Sequence, residues 1–402
     1  MTTVLRTERI KVRPSFTLMQ LARQSKNLYN YVNYIIKKQL NYNNYMTSEY
    51  ELVNIVRYHP CYTEFIPHSA QQTIKFLVKN WKSYFRAKKE YQKNPKVFLS
   101  QPHTPKYKNK QGFHTIYFTA NQVKLKNEGW LYFPKKVGLK IKTRFAEGTK
   151  VNHARLLPRG TCFILEIIYE KELETRNSSH SSQTTNILSI DMGVNNLLTC
   201  VSNVLSPFLV KGRKLKSINQ WYNKERSRLQ SIYNLQGLEE YGQRIMKIID
   251  KRYQQVENYL HKASSLVINK CLEYQIDTIV IGYNKKWKQK SKMGRRNNQN
   301  FISIPFLTLL RKHKYKAEEL GIEFIAIEEE YTSKCSFLDN EPICKHTRYL
   351  GRRQKRGMFK SKNGMLINAD CNAAGNIGRK VFPLIFTSGT VDAVSHPICL
   401  TV

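Results

Sequence analysis

Residues 187–203 read ILSIDMGVNNLLTCVSN. An apolar run climbs to Asp191, Gly193 follows two positions later, and a second apolar run starts at Leu197. Short apolar runs bounded by turn residues read as buried strands, so the stretch predicts a strand, a tight turn and a second strand. A carboxylate at the tip of a buried strand is costly unless it meets a cation. Asp191 is therefore the first candidate for chemistry.

Further along the chain the same pattern alternates with helices. DTIVIGYN (277–284) is a buried strand, and PFLTLLRKHKYKAEELG (305–321) is an amphipathic helix closing on Gly321. IEFIAIEEEYTSK (322–334) reads as another buried strand and NADCNAAGNIGRKVF (368–382) as a final helix, while 212–275 reads as two long polar helices joined near Leu235–Gly242. Apolar strands alternating with helices predict an α/β sheet of parallel strands covered on both faces. In the final helix Ala373, Ala374 and Ile377 form a small apolar face. Such a face lets the helix approach the sheet and bring Asp370 alongside Asp191. Two or three carboxylates converging in a basic protein suit a phosphodiester site with Mg²⁺ or Mn²⁺, which prefer hard oxygen ligands.

Toward the amino end, ETRNSSHSSQTTN (174–186) lacks apolar residues and reads as a linker between domains. Before it, HTIYFTA (114–120), QVKLKNEGWLYFP (122–134), VGLKIKTRF (137–145) and TCFILEIIYEKEL (161–173) alternate with period two. Successive short strands predict an antiparallel barrel or sandwich. Residues 1–16 read as one strand, a helix runs to Leu40, and a second helix spans about Ser69 to Tyr91. Tyr29, Tyr31 and Tyr34 crowd the first helix, and Tyr42 and Tyr45 follow among asparagines. Eleven Lys/Arg and one acid, Glu90, lie between Lys75 and Lys110. Cations interleaved with aromatics suit phosphate contact and base stacking; for Trp81, Tyr84 and Phe85, helical spacing alone equally explains a core role.

The 402 residues hold 67 Lys plus Arg against 29 Asp plus Glu, a net charge of +38. That excess repels itself unless a polyanion neutralises it, and nucleic acid is the polyanion that gains by releasing its counterions. The charge runs along the whole chain rather than one amphipathic helix, which argues against a membrane surface. No run approaches a membrane span and no cleavable signal opens the chain. The eight cysteines are dispersed without a C-x-x-C pair. A reducing, intracellular setting is expected, cytoplasmic and nucleoid-associated in a bacterium.

IDMGVNN, GYNKKWKQKSKMGRRNNQNF (282–301), YTSK (331–334) and LINADCNAAGNI (366–377) occur in that order. Together they resemble the RuvC-like, RNase H fold nuclease of TnpB-type (OrfB) proteins of bacterial insertion sequences, relatives of type V CRISPR effectors. IPHSAQQTIKFLVKNWKSYF (66–85) is similar to that family's helical recognition segment. The resemblance implies a multidomain α+β chain: a first wedge strand at 1–16, a helical recognition insert at 17–105, and a wedge β-barrel at 106–173. After the linker at 174–186 it implies a RuvC-like α/β nuclease at 187–385, with a helical hairpin (212–275) and a basic insert (335–366), then a tail at 386–402. The implied activity is RNA-guided, Mg²⁺-dependent cleavage of double-stranded DNA beside a short motif, with guide RNA from the element's end as partner. Base pairing then reads sequence while the protein reads backbone shape.

Nucleic-acid contacts are expected from Gln71, Gln72, Lys75, Lys79 and Lys82 in the recognition segment. Lys285, Trp287, Lys288, Arg295, Arg296, Asn298 and Gln299 are expected to join them, with Arg352, Arg353, Lys355 and Arg356 of the basic insert. Two departures from the family stand out. Its zinc ribbon has two C-x-x-C pairs, whereas here the region holds Cys335, Cys344 and His346, a spacing that argues against zinc. The family's middle acid falls at Gly282. Either the nuclease is dead, leaving an RNA-guided DNA-binding repressor, or Glu328 or Glu329 on the neighbouring strand joins Asp191 and Asp370. Strand neighbours lie about 4.8 Å apart, within reach of a glutamate. An RNA-independent transposase is the third reading.

Overall fold

The computed structural model describes residues 3–173, 185–238, 242–284, 287–289, 293–387 and 396–402, so most of the expected linker lies outside the described residues. The chain divides into two compact units, Thr3–Glu172 and Leu173–Val402. Among the described residues no helix is long and apolar enough to cross a membrane.

The front unit begins with β1 (Thr3–Val12), followed by α1 (Phe16–Asn43), α2 (Glu49–Val56), α3 (Pro60–Thr63) and α4 (Pro67–Lys93). Strands β2 (Ile116–Thr119), β3 (Lys124–Lys126), β4 (Trp130–Tyr132), β5 (Lys140–Lys142), β6 (Val151–Arg159) and β7 (Cys162–Glu172) complete it. β1 pairs antiparallel with β7 over its whole length, from Thr3 opposite Glu172 to Val12 opposite Phe163. Where the strand pattern left a barrel or a sandwich open, the strands form two sheets, β1-β7-β6-β2 and β3-β4-β5, and QVKLKNEGWLYFP is not one strand. The reason is local: Glu128 and Gly129 take φ of 58° and 81°. That left-handed pair folds QVKLKNEGWLYFP into a hairpin instead of one strand. The helices and both sheets share one apolar core. Trp81 is buried and donates Nε1–H to Asn33 Oδ1 at 2.9 Å, so it is core, and half-buried Tyr84 and Phe85 pack against it at the core's edge.

The rear unit opens with β8 (Ile187–Met192), β9 (Asn196–Ser202), β10 (Phe208–Lys211), α5 (Arg213–Leu235) and α6 (Gln243–Glu273). Then come β11 (Thr278–Gly282), α7 (Arg295–Ser303), α8 (Phe306–Glu319), β12 (Glu323–Ile327), a small sheet of β13 (Arg352–Lys355), β14 (Met358–Lys360) and β15 (Leu366–Asn368), α9 (Ala369–Val381) and β16 (Ile398–Leu400). The main sheet has the order β12-β11-β8-β9-β10-β16. It is mixed rather than all parallel: β8-β9-β10 is an antiparallel meander, while β11 and β12 run parallel to β8. The connections from β8 to β9 and from β9 to β10 are too short for the crossover that parallel neighbours need. β12 is the edge strand and stays partly exposed, so it is not covered on both faces.

Alternation sorts the sheet's residues. Leu188, Ile190, Ile279 and Ile281 join the core with α6 and α8. Ile187 and Val280 pack with Ala374 and Ile377 of α9. By the same period of two, Asp191 and Gly282 fall on the α9 side. α9 lies so close that Ser189 Oγ donates to its Ala374 carbonyl at 2.8 Å.

Asn33 joins three parts of the front unit, because its Nδ2 also donates to Pro105 O at 3.0 Å. Asn33→Ala leaves a buried indole N–H without an acceptor, so urea unfolding should show a loss of about 1–3 kcal/mol. An unchanged midpoint would mean that water replaces the amide without cost.

Candidate active site

The site grows from three backbone positions. Asp191 is the fifth residue of β8, paired with Thr199 of β9. On the other side β8 and β11 pair as far as Ile190 and Ile281, which sets Gly282 beside Asp191. Asp370 stands in the first turn of α9, where Asn368 caps the helix by accepting from the amides of Asp370 and Cys371 at 2.9 and 3.2 Å. Glu329 follows β12 by two residues, on the same alternation as Ile327, which packs on the α9 side.

Two of the acids are held by amides that sequence reasoning missed. Asn196 Nδ2 donates to Asp370 Oδ2 at 2.9 Å. Asn284 grips Glu329 twice: its Oδ1 accepts from the Glu329 amide at 2.9 Å, and its Nδ2 donates to Oε1 at 3.3 Å. Both asparagines lie inside quoted motifs, IDMGVNN and GYN, which was the available signal. Lys380 of α9 donates to the carbonyls of Glu328 and Glu330 at 2.8 and 3.3 Å, fastening the turn that carries Glu329.

The other oxygen of Glu329, Oε2, is buried and has no hydrogen-bond partner. A Cβ built on Gly282 would meet it at 2.7 Å and Ile377 Cδ1 at 2.6 Å, so only glycine leaves this space. Glu328 and Glu330 are exposed. Asp191 thus feels both Glu329 and Asp370 as charged neighbours, while Glu328 points to solvent.

The electrostatics follow from that crowding. Burial, then the carboxylates of Glu329 and Asp370, raise the Asp191 pKa well above the ordinary range, against the opposing pull of Arg353 and the Met192 amide. Burial pushes Glu329 up to about 7, with Lys380 drawing it partly back. Arg353 of β13 lies 3.8 Å from Asp370 Oδ1. Among the described residues no three His, Cys, Asp or Glu side chains already stand as a ligand set for one ion. The donor chemistry nevertheless suits a hard divalent cation: all-oxygen, mutually repelling, with one buried oxygen unpartnered.

The expected nucleic-acid residues divide into exposed and structural. Gln71, Lys75, Lys79 and Lys82 are exposed on α4, and Gln72 is half-buried. Arg295, Arg296 and Gln299 are exposed on α7, whose first turn carries two cations and no acid. That placement opposes the helix dipole and favours an anionic neighbour. Asn298 Oδ1 accepts from the Met293 amide at 3.1 Å. Trp287 is packed among Tyr283, Phe301 and Phe306. Lys288 donates to the carbonyls of Ile302, at 2.9 Å, and Ile304; these two side chains hold α7 in place. Lys285 lies outside the described residues. Arg352, Arg353, Lys355 and Arg356 are exposed on or beside β13. Cys344 Sγ lies 3.4 Å from His346 Nε2, while buried Cys335 points its thiol at the Cys344 carbonyl at 3.6 Å.

Free of metal, the site predicts a pH-dependent penalty. The folded-state pKa of Glu329 is raised from 4.5 to about 7. Its contribution is therefore favourable below the unfolded value and is lost as pH rises through 7. Glu329→Gln should be more stable than the parent at pH 8, by about 1–3 kcal/mol, with the advantage fading toward pH 5 in thermal unfolding. An advantage independent of pH would mean that Glu329 carries no buried charge.

Residues 167–288, which include Asp191 and Gly282, match the OrfB_IS605 family, described as a probable transposase. Residues 306–377, which include Glu329, Arg353 and Asp370, match the Cas12f1-like TNB domain. A TnpB-like protein of Methanocaldococcus jannaschii is 25% identical over 192 residues, and the match spans 44% of this chain and 61% of that relative. The fold is similar to that in a cryo-EM structure of a Cas12f1–sgRNA–target DNA complex, with a TM-score of 0.53 and 17% identity over 90% of this chain and 81% of that one. Both motif-bearing stretches and this relative point the same way: over those stretches the chain is similar to TnpB-type proteins.

Proposed function

We propose that the chain is an RNA-guided, metal-dependent DNA endonuclease of a transposable element, with Asp191, Glu329 and Asp370 as the ligands of Mg²⁺ or Mn²⁺. The observation that carries this reading is the buried, unpartnered Oε2 of Glu329 in the notch left by Gly282. A carboxylate oxygen kept dry without a donor is a standing cost that a cation relieves. The sheet order β10-β9-β8-β11-β12, antiparallel then parallel, supports an RuvC-like reading of the rear unit. The solved relative is a complex with sgRNA and target DNA, and a net charge of +38 suits the same two partners.

A divalent cation held by Asp191, Glu329 and Asp370 would supply positive charge against the phosphodiester. Asn196 and Asn284, each donating to one carboxylate, would orient Asp370 and Glu329 as ligands. Arg353, exposed yet within 3.8 Å of Asp370, offers its guanidinium to the phosphate beside the scissile bond. The exposed cations of α4, α7 and β13 hold the nucleic-acid backbone without reading bases.

Asp191→Ala, Asp370→Ala and Glu329→Gln should each abolish Mg²⁺-dependent cleavage of a matched plasmid while guided binding persists. Glu328→Gln should cut like the parent. Cleavage at the parental rate by Glu329→Gln would sink the relocated glutamate, and a parent that binds matched DNA but never cuts it under Mg²⁺ or Mn²⁺ would establish the repressor reading. Arg295→Ala with Arg296→Ala should weaken binding for every guide and lower the salt slope by about 1 for each phosphate left without its arginine. An unchanged slope would leave those arginines facing solvent.

A further inference from the structure

The front unit carries a second built surface, apart from the carboxylates. Residues 101–112 have no regular secondary structure, yet α1 holds them by its side chains. Besides the bond from Asn33 to Pro105, Asn30 Nδ2 donates to Lys108 O at 3.0 Å and Asn30 Oδ1 accepts from the Lys108 amide at 2.8 Å. Lys26 Nζ donates to Lys110 O at 2.6 Å. The partners on α1 fall in number as those on the strap rise, so the strap runs antiparallel to the helix. Lys26 and Asn33 are buried. Burying an ammonium and an amide to hold loop carbonyls is costly, so the strap is specified rather than slack.

What it displays is chemically uniform. Lys106, Tyr107, Lys108 and Lys110 are exposed. Lys37 Nζ sits 4.3 Å over the Tyr107 ring. Tyr34 and Tyr42, with Lys38 between them at helical spacing, form an exposed stripe of α1. Tyr34, Tyr42 and Tyr107 expose 52, 78 and 48% of their surface. No acid occurs between Glu8 and Glu49, or between Glu90 and Glu128, so neither α1 nor the strap offers these ammonium groups a carboxylate.

We propose that this strap and helix stripe bind a stretch of nucleic acid with unpaired bases, its phosphates on Lys106, Lys108 and Lys110 and its bases stacked on Tyr34, Tyr42 and Tyr107. A duplex hides the faces of its bases, whereas a single strand offers them to exposed rings. An unpaired part of a guide RNA and a displaced DNA strand share this chemistry. The inference rests on the nucleic-acid reading above and adds to it a site and a state of the ligand.

The test uses the full chain, fluorescently labelled short oligouridylate and oligothymidylate, and a duplex of equal length, titrated across salt. Tyr34→Ala combined with Tyr107→Ala should weaken at least one single strand about fivefold or more, leave the salt slope and the duplex unchanged, and be rescued by phenylalanine at both positions. Lys106→Gln with Lys108→Gln should lower the slope instead. Since so basic a chain has other phosphate sites, a strand carrying fluorescent aminopurine reports stacking directly, quenched by the parent and not by the double alanine variant. Loss confined to the ribo-strand assigns the guide, and loss confined to the deoxy-strand assigns displaced DNA. Parental affinity and parental quenching in the alanine variant would overturn the proposal while leaving the nuclease reading intact. A parent that binds neither strand nor duplex would overturn both. These tyrosines are exposed, and matching thermal unfolding of the variants confirms that only the surface has changed.

Discussion

The close approach of α9 to β8 is the constraint on which the site depends. Ser189 reaches a helix carbonyl directly, an approach that larger side chains on the facing stripe of the helix would prevent. Gly375 and Gly378 of the same helix leave room for Phe337 and Phe386, whose rings would lie 2.7–2.8 Å from an added Cβ. The helix thus shares one core with these rings and the sheet. Burial of Val280, Ile377, Phe337 and Phe386 supplies a favourable area term of about 25 cal/mol per Å². That term offsets the repulsion of acids that would otherwise stay apart. The charge crowding at Asp191 is a product of packing, and the packing is written in small residues.

The cations of this chain do two kinds of work. Lys26, Lys288 and Lys380 each donate to backbone carbonyls of an irregular segment and fix a strap, a helix end and an acidic turn. Such lysines act as donors that happen to carry charge, and burial lowers the Lys288 pKa accordingly. Arg295, Arg296 and Arg352 have open surroundings instead. A count of Lys and Arg along the sequence does not separate these classes, because the difference lies in whether an unsatisfied carbonyl is close by.

The legible elements are those with a strong apolar period. β8, β11, α8 and α9 follow runs whose burial is unambiguous. The choice between Glu328 and Glu329 stays open in the sequence because the β12 stretch reads as a strand covered on both faces. As an edge strand it obeys alternation, and counting from Ile327 reaches Glu329 on the α9 side. α2 carries its own signal, since Ser48 and Glu51 form a reciprocal capping box three residues apart, in a stretch to which the apolar pattern assigns no element. The strands β13–β15 are invisible for a physical reason: β13 is four charged or polar residues without an apolar partner in sequence, and its pairing is set by Phe359 and Ile367 in the next two strands. The hairpin of β3 and β4 hides behind an alternation that resumes in register after the turn, so only Asn127–Gly129 mark it.

The notch at Gly282 has an evolutionary consequence. A side chain at 282 and the present position of the Glu329 carboxylate compete for one volume, so the two positions are heritable only as a pair. Restoring an acid at 282 while keeping Glu329 would force two carboxylates into the space of one. Changing 329 alone would leave a hole where the site needs charge. Under the proposed ligand set neither single step keeps three carboxylates, so a lineage with this arrangement would be held to it by sterics. Among relatives, glycine at the one and glutamate at the other should therefore travel together.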